Sequence, residues 1–230
     1  MIIRKYIPNT ITCLNSLSGC IAIVMALSGN LMAAALWILL AAIFDFFDGF
    51  AARLLKSYSK IGGELDSLSD VVSFGVAPGM MLYQYLVTIN SQTALPVWIP
   101  FVAMVIPVLS GVRLAKFNMD ERQTTSFLGL PVPAHALFWA SYVNGIADYM
   151  VFSASFMVIA TLILAIISSL LLVSEIPMFS FKIKSLAWKS NIQRYLLLIG
   201  AILLLVFLGM LGASATVLLY VILSLIIKDY

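Results

Sequence analysis

Apolar runs about twenty residues long recur from one end of this chain to the other, and each is long enough to cross a bilayer as a helix. In hydrocarbon a backbone must satisfy its own N–H and C=O groups, so such runs predict an all-α, polytopic membrane protein. At 63% hydrophobic, 10% charged and a mean hydropathy of +1.09, the composition lies outside the range of soluble domains. Punctuation by Pro, Gly and charge places about eight spans, at about 10–28, 31–52, 66–89, 96–115, 132–151, 153–173, 194–210 and 212–228. Short links at Ser28 to Asn30 and Gly209 to Ala213 predict tight helical hairpins.

Basic residues orient these spans. Arg4 and Lys5 precede the first; Arg53, Lys56 and Lys60 follow the second; Arg113, Lys116 and Arg122 the fourth; Lys182, Lys184, Lys189 and Arg194 the sixth; Lys228 ends the eighth. All 13 basic residues thus fall on one side, and the opposite links, around Asn90 to Leu95, Asp148 and Met210, carry none. The positive-inside rule predicts an inner-membrane protein with both termini in the cytoplasm. The net charge of +3 is a topology signal and a weak attraction to anionic lipid; nothing points to nucleic acid. Arg4-Lys5 and the apolar stretch after them loosely imitate a secretory signal. Pro8, Asn9, Thr12, Asn15 and Gly19 form a polar stripe that a cleaved signal does not need, so the segment is expected to remain as the first span.

Within this apolar chain four aspartates fall in 26 residues: Asp45-x2-Asp48-Gly49-x2-Ala52-Arg53-x8-Gly62-x3-Asp66-x3-Asp70. Ionisable groups near bilayer depth are costly and mark function. On a helical wheel Asp48, Ala52, Gly49 and Arg53 lie at about −60°, −20°, +40° and +80° from Asp45. Phe46, Phe50 and Phe47 occupy the other face, at roughly 100°, 140° and 200°. Gly62, Asp66, Asp70 and Ser73 form a second stripe, so two carboxylate-bearing helices can face one another. Carboxylates crowded in a low dielectric need neutralising, and hard oxygen ligands suit magnesium, manganese or calcium; a pair of divalent ions cancels four charges. Gly49, Ala52 and Gly62 let a bulky ligand approach the backbone, and Arg53 is a phosphate partner. A metal-bound diphosphate is the substrate class expected.

This string resembles the signature of the CDP-alcohol phosphotransferase family at all eight positions. The resemblance implies that Asp45, Asp48 and Asp66 ligate metal, Mg2+ or Mn2+ and two ions. It implies that Asp70 completes the site and acts as general base, and that Gly49, Ala52, Arg53 and Gly62 accommodate CDP. Homodimerisation is the family's habit. Ile7-Pro8-Asn9 with Asn15, Glu64 to Leu68, Val71 to Pro78, Arg113 to Asn118 and Phe127 to Ala134 further resemble the membrane-embedded phosphatidylserine synthases, over residues 7 to about 140. The activity implied is transfer of the phosphatidyl group from CDP-diacylglycerol to the hydroxyl of L-serine, releasing CMP by direct attack.

Other residues leave alternatives open. Asn9, Thr12 and Asn15 step by three along one face, either for interhelical hydrogen bonds or to touch the nucleotide. Arg113 and Lys116, one turn apart, either hold the serine carboxylate, with Asn118 adding a polar contact, or only mark the membrane boundary. Asp120, Glu121 and Arg122 read as a solvated loop, and His135 as a hydrogen-bonded interfacial residue. Cys13 and Cys20 read as reduced thiols that pack as small apolar groups. Ala33, Ala34, Ala35, Gly209 and Gly212 permit close helix contact.

Residues 1–174 are expected to form a six-helix catalytic core, 175–193 a segment lying along the cytosolic leaflet, and 194–230 a two-helix hairpin. Sibling enzymes using glycerol phosphate or inositol phosphate need more cations than this chain offers. An ether-lipid (archaetidylserine) synthase presents the same CDP head and stays open. A cation transporter is a different class, disfavoured because the acids lie near one membrane face.

Overall fold

The computed structural model describes residues 3–57, 59–120, 127–146, 152–179 and 188–226. Each apolar run forms a helix: α1 Ile3–Leu27, α2 Leu31–Leu54, α3 Lys60–Asp70, α4 Ala77–Asn90, α5 Val105–Met119, α6 Val132–Gly145, α7 Ala154–Val173, α8 Trp188–Leu208 and α9 Met210–Ile226. Glu121, Arg122, Asp148, Lys182, Lys184 and Lys228 lie outside the described residues.

Local chemistry sets the ends. Asn30 accepts from the Ala33 N–H at 3.1 Å to start α2, and Ser59 accepts from the Gly62 N–H at 3.0 Å to start α3. Gly209 turns α8 into α9 at φ +55°. The third span starts earlier than expected, at Lys60, and runs to Asn90 as one rod in which a π-helical turn, Val71–Val76, joins α3 to α4. A 3-10 stretch, Ile99–Met104, leads into α5. The expected eight spans become six long, apolar helices among the described residues, with α6 and α9 shorter. An integral membrane protein of several spans is what these lengths describe.

Small residues decide which helices touch. Ala22 and Ala26 of α1 and Ala34, Ala35, Ile38 and Ala41 of α2 are all buried in the core, and the two helices pack closely along their lengths. At Gly19 a Cβ would sit 2.5 Å from Ser73 Oγ and 2.7 Å from its Cα, so α1 crosses the π-helical turn backbone to backbone. Gly19→Val is expected to cost about 1–3 kcal/mol through overpacking, read as a lower Tm in detergent. An unchanged Tm would show that this crossing does not hold the fold. Gly212 brings α9 against the Leu204 carbonyl, and Ser214 Oγ bonds Ser141 Oγ of α6 at 2.7 Å, so the last hairpin is packed into the bundle.

Some expectations change. His135 is fully buried, where an interfacial residue was expected: the Trp139 indole N–H donates to its Nε2 at 3.0 Å, and Ser168 Oγ lies 3.0 Å from the same nitrogen. Cys13 and Cys20 are free as expected but face outward from the bundle, because the inner face of α1 is taken by Thr12, Asn15 and Gly19. The aromatic face of α2 also points outward, with Phe46 stacked on Phe50 at 6.4 Å. An antiparallel bridge pairs Phe127 with Met178 and Leu128 with Pro177, tying the approach to α6 onto the end of α7.

Candidate active site

The two carboxylate stripes face each other. Asp45 and Asp48 from α2 and Asp66 from α3 present one oxygen each, all within 4.8 Å of one another. Counted along their helices at ~1.5 Å per residue, Asp48 and Asp66 lie about 9 Å from the end carrying Arg53 and Lys60, and Asp45 and Asp70 about 14–15 Å. The acids are therefore confined to one end of the bundle.

α1 forms a third wall, and each residue of its polar stripe has a place. Asn15, fully buried, donates through Nδ2 to Asp70 Oδ1 at 3.2 Å. The Thr12 hydroxyl donates to the Pro8 carbonyl at 3.0 Å and lies beside Asp48. Ser69 Oγ donates to the Thr12 carbonyl at 3.2 Å and Ser73 Oγ to the Asn15 carbonyl at 2.9 Å, so α1 is bonded to the acid-bearing rod on either side of Asp70. Asp70 itself is buried, against Asp45. The interhelical alternative for the stripe thus has specific partners at Asn15.

The small residues divide. A Cβ on Gly62 would meet Ser59 Oγ at 2.9 Å and Asn9 Oδ1 at 3.0 Å, so a larger residue there has to displace the ends of these two side chains. At Gly49 a Cβ meets nothing within 4 Å, so internal packing does not require glycine. Ala52 is half-buried and Arg53 exposed in the last turn of α2, on the same side as the acids.

The donor set fits a hard divalent ion. Its oxygens are carboxylate, three converge, and Asp48 Oδ2 and Asp66 Oδ1 are buried without a hydrogen-bond partner. The charges acting on Asp45, Asp66 and Asp70 are those of fellow carboxylates. Carboxylates buried together either take up protons or are balanced by a cation. The cluster could hold a divalent metal.

Arg113 and Lys116 meet in a second place, a cleft of about 360 Å³ where α5 and α7 end. Arg113 is buried, its guanidinium carbon 5.1 Å from the Phe117 ring, and Lys116 Nζ lies 3.4 Å from the Val173 carbonyl. Asn118 is apart from them: its Nδ2 donates to Ser67 Oγ at 2.8 Å, next in sequence to Asp66. Asp120 and Glu175 line the same cleft, which sequence reasoning missed because they are far apart in the chain.

The CDP-alcohol phosphatidyltransferase model matches residues 5–206, which takes in α1 through most of α8. The chain belongs to the CDP-alcohol phosphatidyltransferase family. Among its relatives in that family, the CDP-diacylglycerol–serine O-phosphatidyltransferase of Bacillus subtilis is 39% identical over 129 residues, 56% of this chain and 70% of that protein. The protein of the same name from Methanocaldococcus jannaschii is 38% identical over 176 residues, 76% of this chain and 75% of its own. The archaetidylserine synthase of Methanothermobacter thermautotrophicus is 36% identical over 166 residues, 70% and 67%. Family membership agrees with the metal-compatible carboxylates, since phosphoryl transfer from a diphosphate needs charge balanced at that point.

Proposed function

We propose that this protein transfers the phosphatidyl group of CDP-diacylglycerol to the hydroxyl of L-serine, releasing CMP. The observation that carries the proposal is the convergence of Asp45, Asp48 and Asp66 from two facing helices, in a chain whose relatives are named for this reaction. Asp45, Asp48, Asp66 and Asp70 hold divalent metal, Mg2+ or Mn2+ and two ions. Bound there, metal supplies neutralisation of the diphosphate and of the departing CMP.

The chain's own groups do the rest. Gly49 and Ala52 leave the backbone of α2 open to the cytidine diphosphate, Arg53 pairs with phosphate, and Gly62, Asn9, Thr12 and Asn15 line the opposing wall. The serine oxygen attacks the lipid-side phosphorus, the bond from that phosphorus to the CMP oxygen breaks, and the hydroxyl proton passes to the Asp70 carboxylate. Asn15 keeps that carboxylate aimed. Arg113 and Lys116 take the serine carboxylate, and Asn118 holds the end of α5 beside Asp66. Residues 1–174 act as the catalytic core and 194–230 as a packing hairpin; of the segment between them, expected on the leaflet, Pro177 to Phe179 instead pack onto the bundle and 188–193 open α8, while 180–187 lie outside the described residues. The protein works as a homodimer in the inner membrane with both termini and the site facing the cytoplasm, where the Lys and Arg charges gather.

The test is CMP release and lipid product mass from purified protein supplied with CDP-diacylglycerol and one alcohol at a time. Product is expected with L-serine and is lost on chelation, returning with added Mg2+ or Mn2+. Preference for glycerol phosphate or inositol phosphate, or turnover insensitive to chelator, would defeat the proposal. Replacing the ester lipid by its ether counterpart separates a phosphatidylserine from an archaetidylserine synthase.

A further inference from the structure

Asn15 carries more polar capacity than its one hydrogen bond uses. The side chain is fully buried on α1, and its Nδ2 donates to Asp70 Oδ1 at 3.2 Å, which fixes the end of the amide that meets the carboxylate. The amide oxygen, on the same carbon as that donor, is buried without a hydrogen-bond partner. Buried polar atoms are nearly always paired, so an oxygen left over beside a group of acids points to a partner other than protein.

The surroundings give the chemistry of that partner. Asp70 lies against Asp45, one of the three converging carboxylates, and Asp48 Oδ2 and Asp66 Oδ1 are likewise buried and partnerless. Three residues earlier on the same face of α1, Thr12 lies beside Asp48. Partnerless oxygens thus come from three helices, through Asn15 of α1, Asp48 of α2 and Asp66 of α3. A hard divalent ion takes about six oxygens, more than three carboxylates supply singly. A further carboxylate would add to the crowded negative charge; a carboxamide oxygen adds a ligand and no charge.

The base of the side chain is held still. Ser73 Oγ donates to the Asn15 carbonyl at 2.9 Å, Ser69 Oγ donates to the Thr12 carbonyl at 3.2 Å, and Gly19, one turn further on, packs directly against Ser73. An oxygen anchored in this way is preorganised for a ligand. We infer that Asn15 contacts the metal, its Oδ1 serving as a neutral ligand in the site of the four aspartates. The inference rests on the metal reading above and differs from a supporting role alone, in which only the N–H given to Asp70 would matter.

The experiment titrates the full chain in lipid nanodiscs with Mn2+, without substrate, followed by electron paramagnetic resonance. Asn15→Asp keeps an oxygen in this place and loses the N–H, whereas Asn15→Leu keeps the volume and loses both. For Asn15→Leu the Mn2+ dissociation constant is expected to rise roughly tenfold or more, and for Asn15→Asp to rise no more than about threefold. Asn15→Ala, which cannot overpack, should weaken Mn2+ as Asn15→Leu does. Thermal unfolding gives a second readout: the rise in Tm that Mn2+ gives the wild type should shrink in Asn15→Leu and Asn15→Ala and persist in Asn15→Asp. Weakening of Asn15→Asp to the level of Asn15→Leu, or unchanged Mn2+ binding in Asn15→Leu and Asn15→Ala, would overturn the inference while leaving the four-aspartate site intact. A wild-type protein that binds no Mn2+ would instead overturn the metal reading, and this inference with it.

Discussion

Asp66→Asn is expected to lower phosphatidyl transfer by about 10³-fold or more, because a metal contribution of several kcal/mol is at stake and ~4 kcal/mol is about three powers of ten. Asp66 is the one member of the three converging carboxylates that comes from α3, so the substitution separates the two helices' contributions. Asparagine keeps shape and a carbonyl oxygen but removes the charge. Mn2+ titration followed by electron paramagnetic resonance should show weakened binding in parallel with lost turnover, while elution as an intact detergent complex excludes misfolding. Full activity with normal Mn2+ affinity would remove Asp66 from the site.

Asp70→Asn should cost about 10²–10⁴-fold in kcat for a different reason, the loss of the group that takes the serine proton. Here Mn2+ affinity is expected to change much less than in Asp66→Asn, since Asp70 stands outside the trio whose oxygens lie within 4.8 Å. The pairing of Asn15 Nδ2 with Asp70 Oδ1 at 3.2 Å also predicts that the substituted amide stays near its place, as it can still present an oxygen to Asn15. The comparison reads ligation and proton transfer separately. If Asp70→Asn loses metal as fully as Asp66→Asn, Asp70 is a ligand first, and its role as base has no support.

Much of the site is visible in one dimension because helix periodicity is a local property. Asp45, Asp48, Gly49, Ala52 and Arg53 share a face of α2 whatever surrounds it, and the outward placement of Phe46, Phe47 and Phe50 follows from the same wheel. The stripe from Gly62 to Ser73 likewise turns one way, and all four of its members meet α1 or the acid cluster. What periodicity does not carry is the identity of the partner. Gly62 reads as room for a ligand, and only the crossing of α1 over α3 brings Asn9 Oδ1 against it. His135 reads as interfacial from its place after two prolines, yet α7 covers it through Ser168.

By itself, then, the order of residues determined the solvent this protein lives in, its helical class, and the chemistry of its acidic face, since these depend on segment length, composition and spacing along single helices. Tertiary structure alone decided that α1 would brace Asp70 through Asn15, that a π-helical turn would follow that aspartate, and that Asp120 and Glu175 would share a cleft with Arg113 and Lys116. The physical reason is close approach: Gly19 lets α1 touch the backbone at Ser73, Gly75 and Gly79 make room for Ser110 and the Pro107 ring, and which pair of glycine-bearing surfaces comes together is a property of the whole bundle.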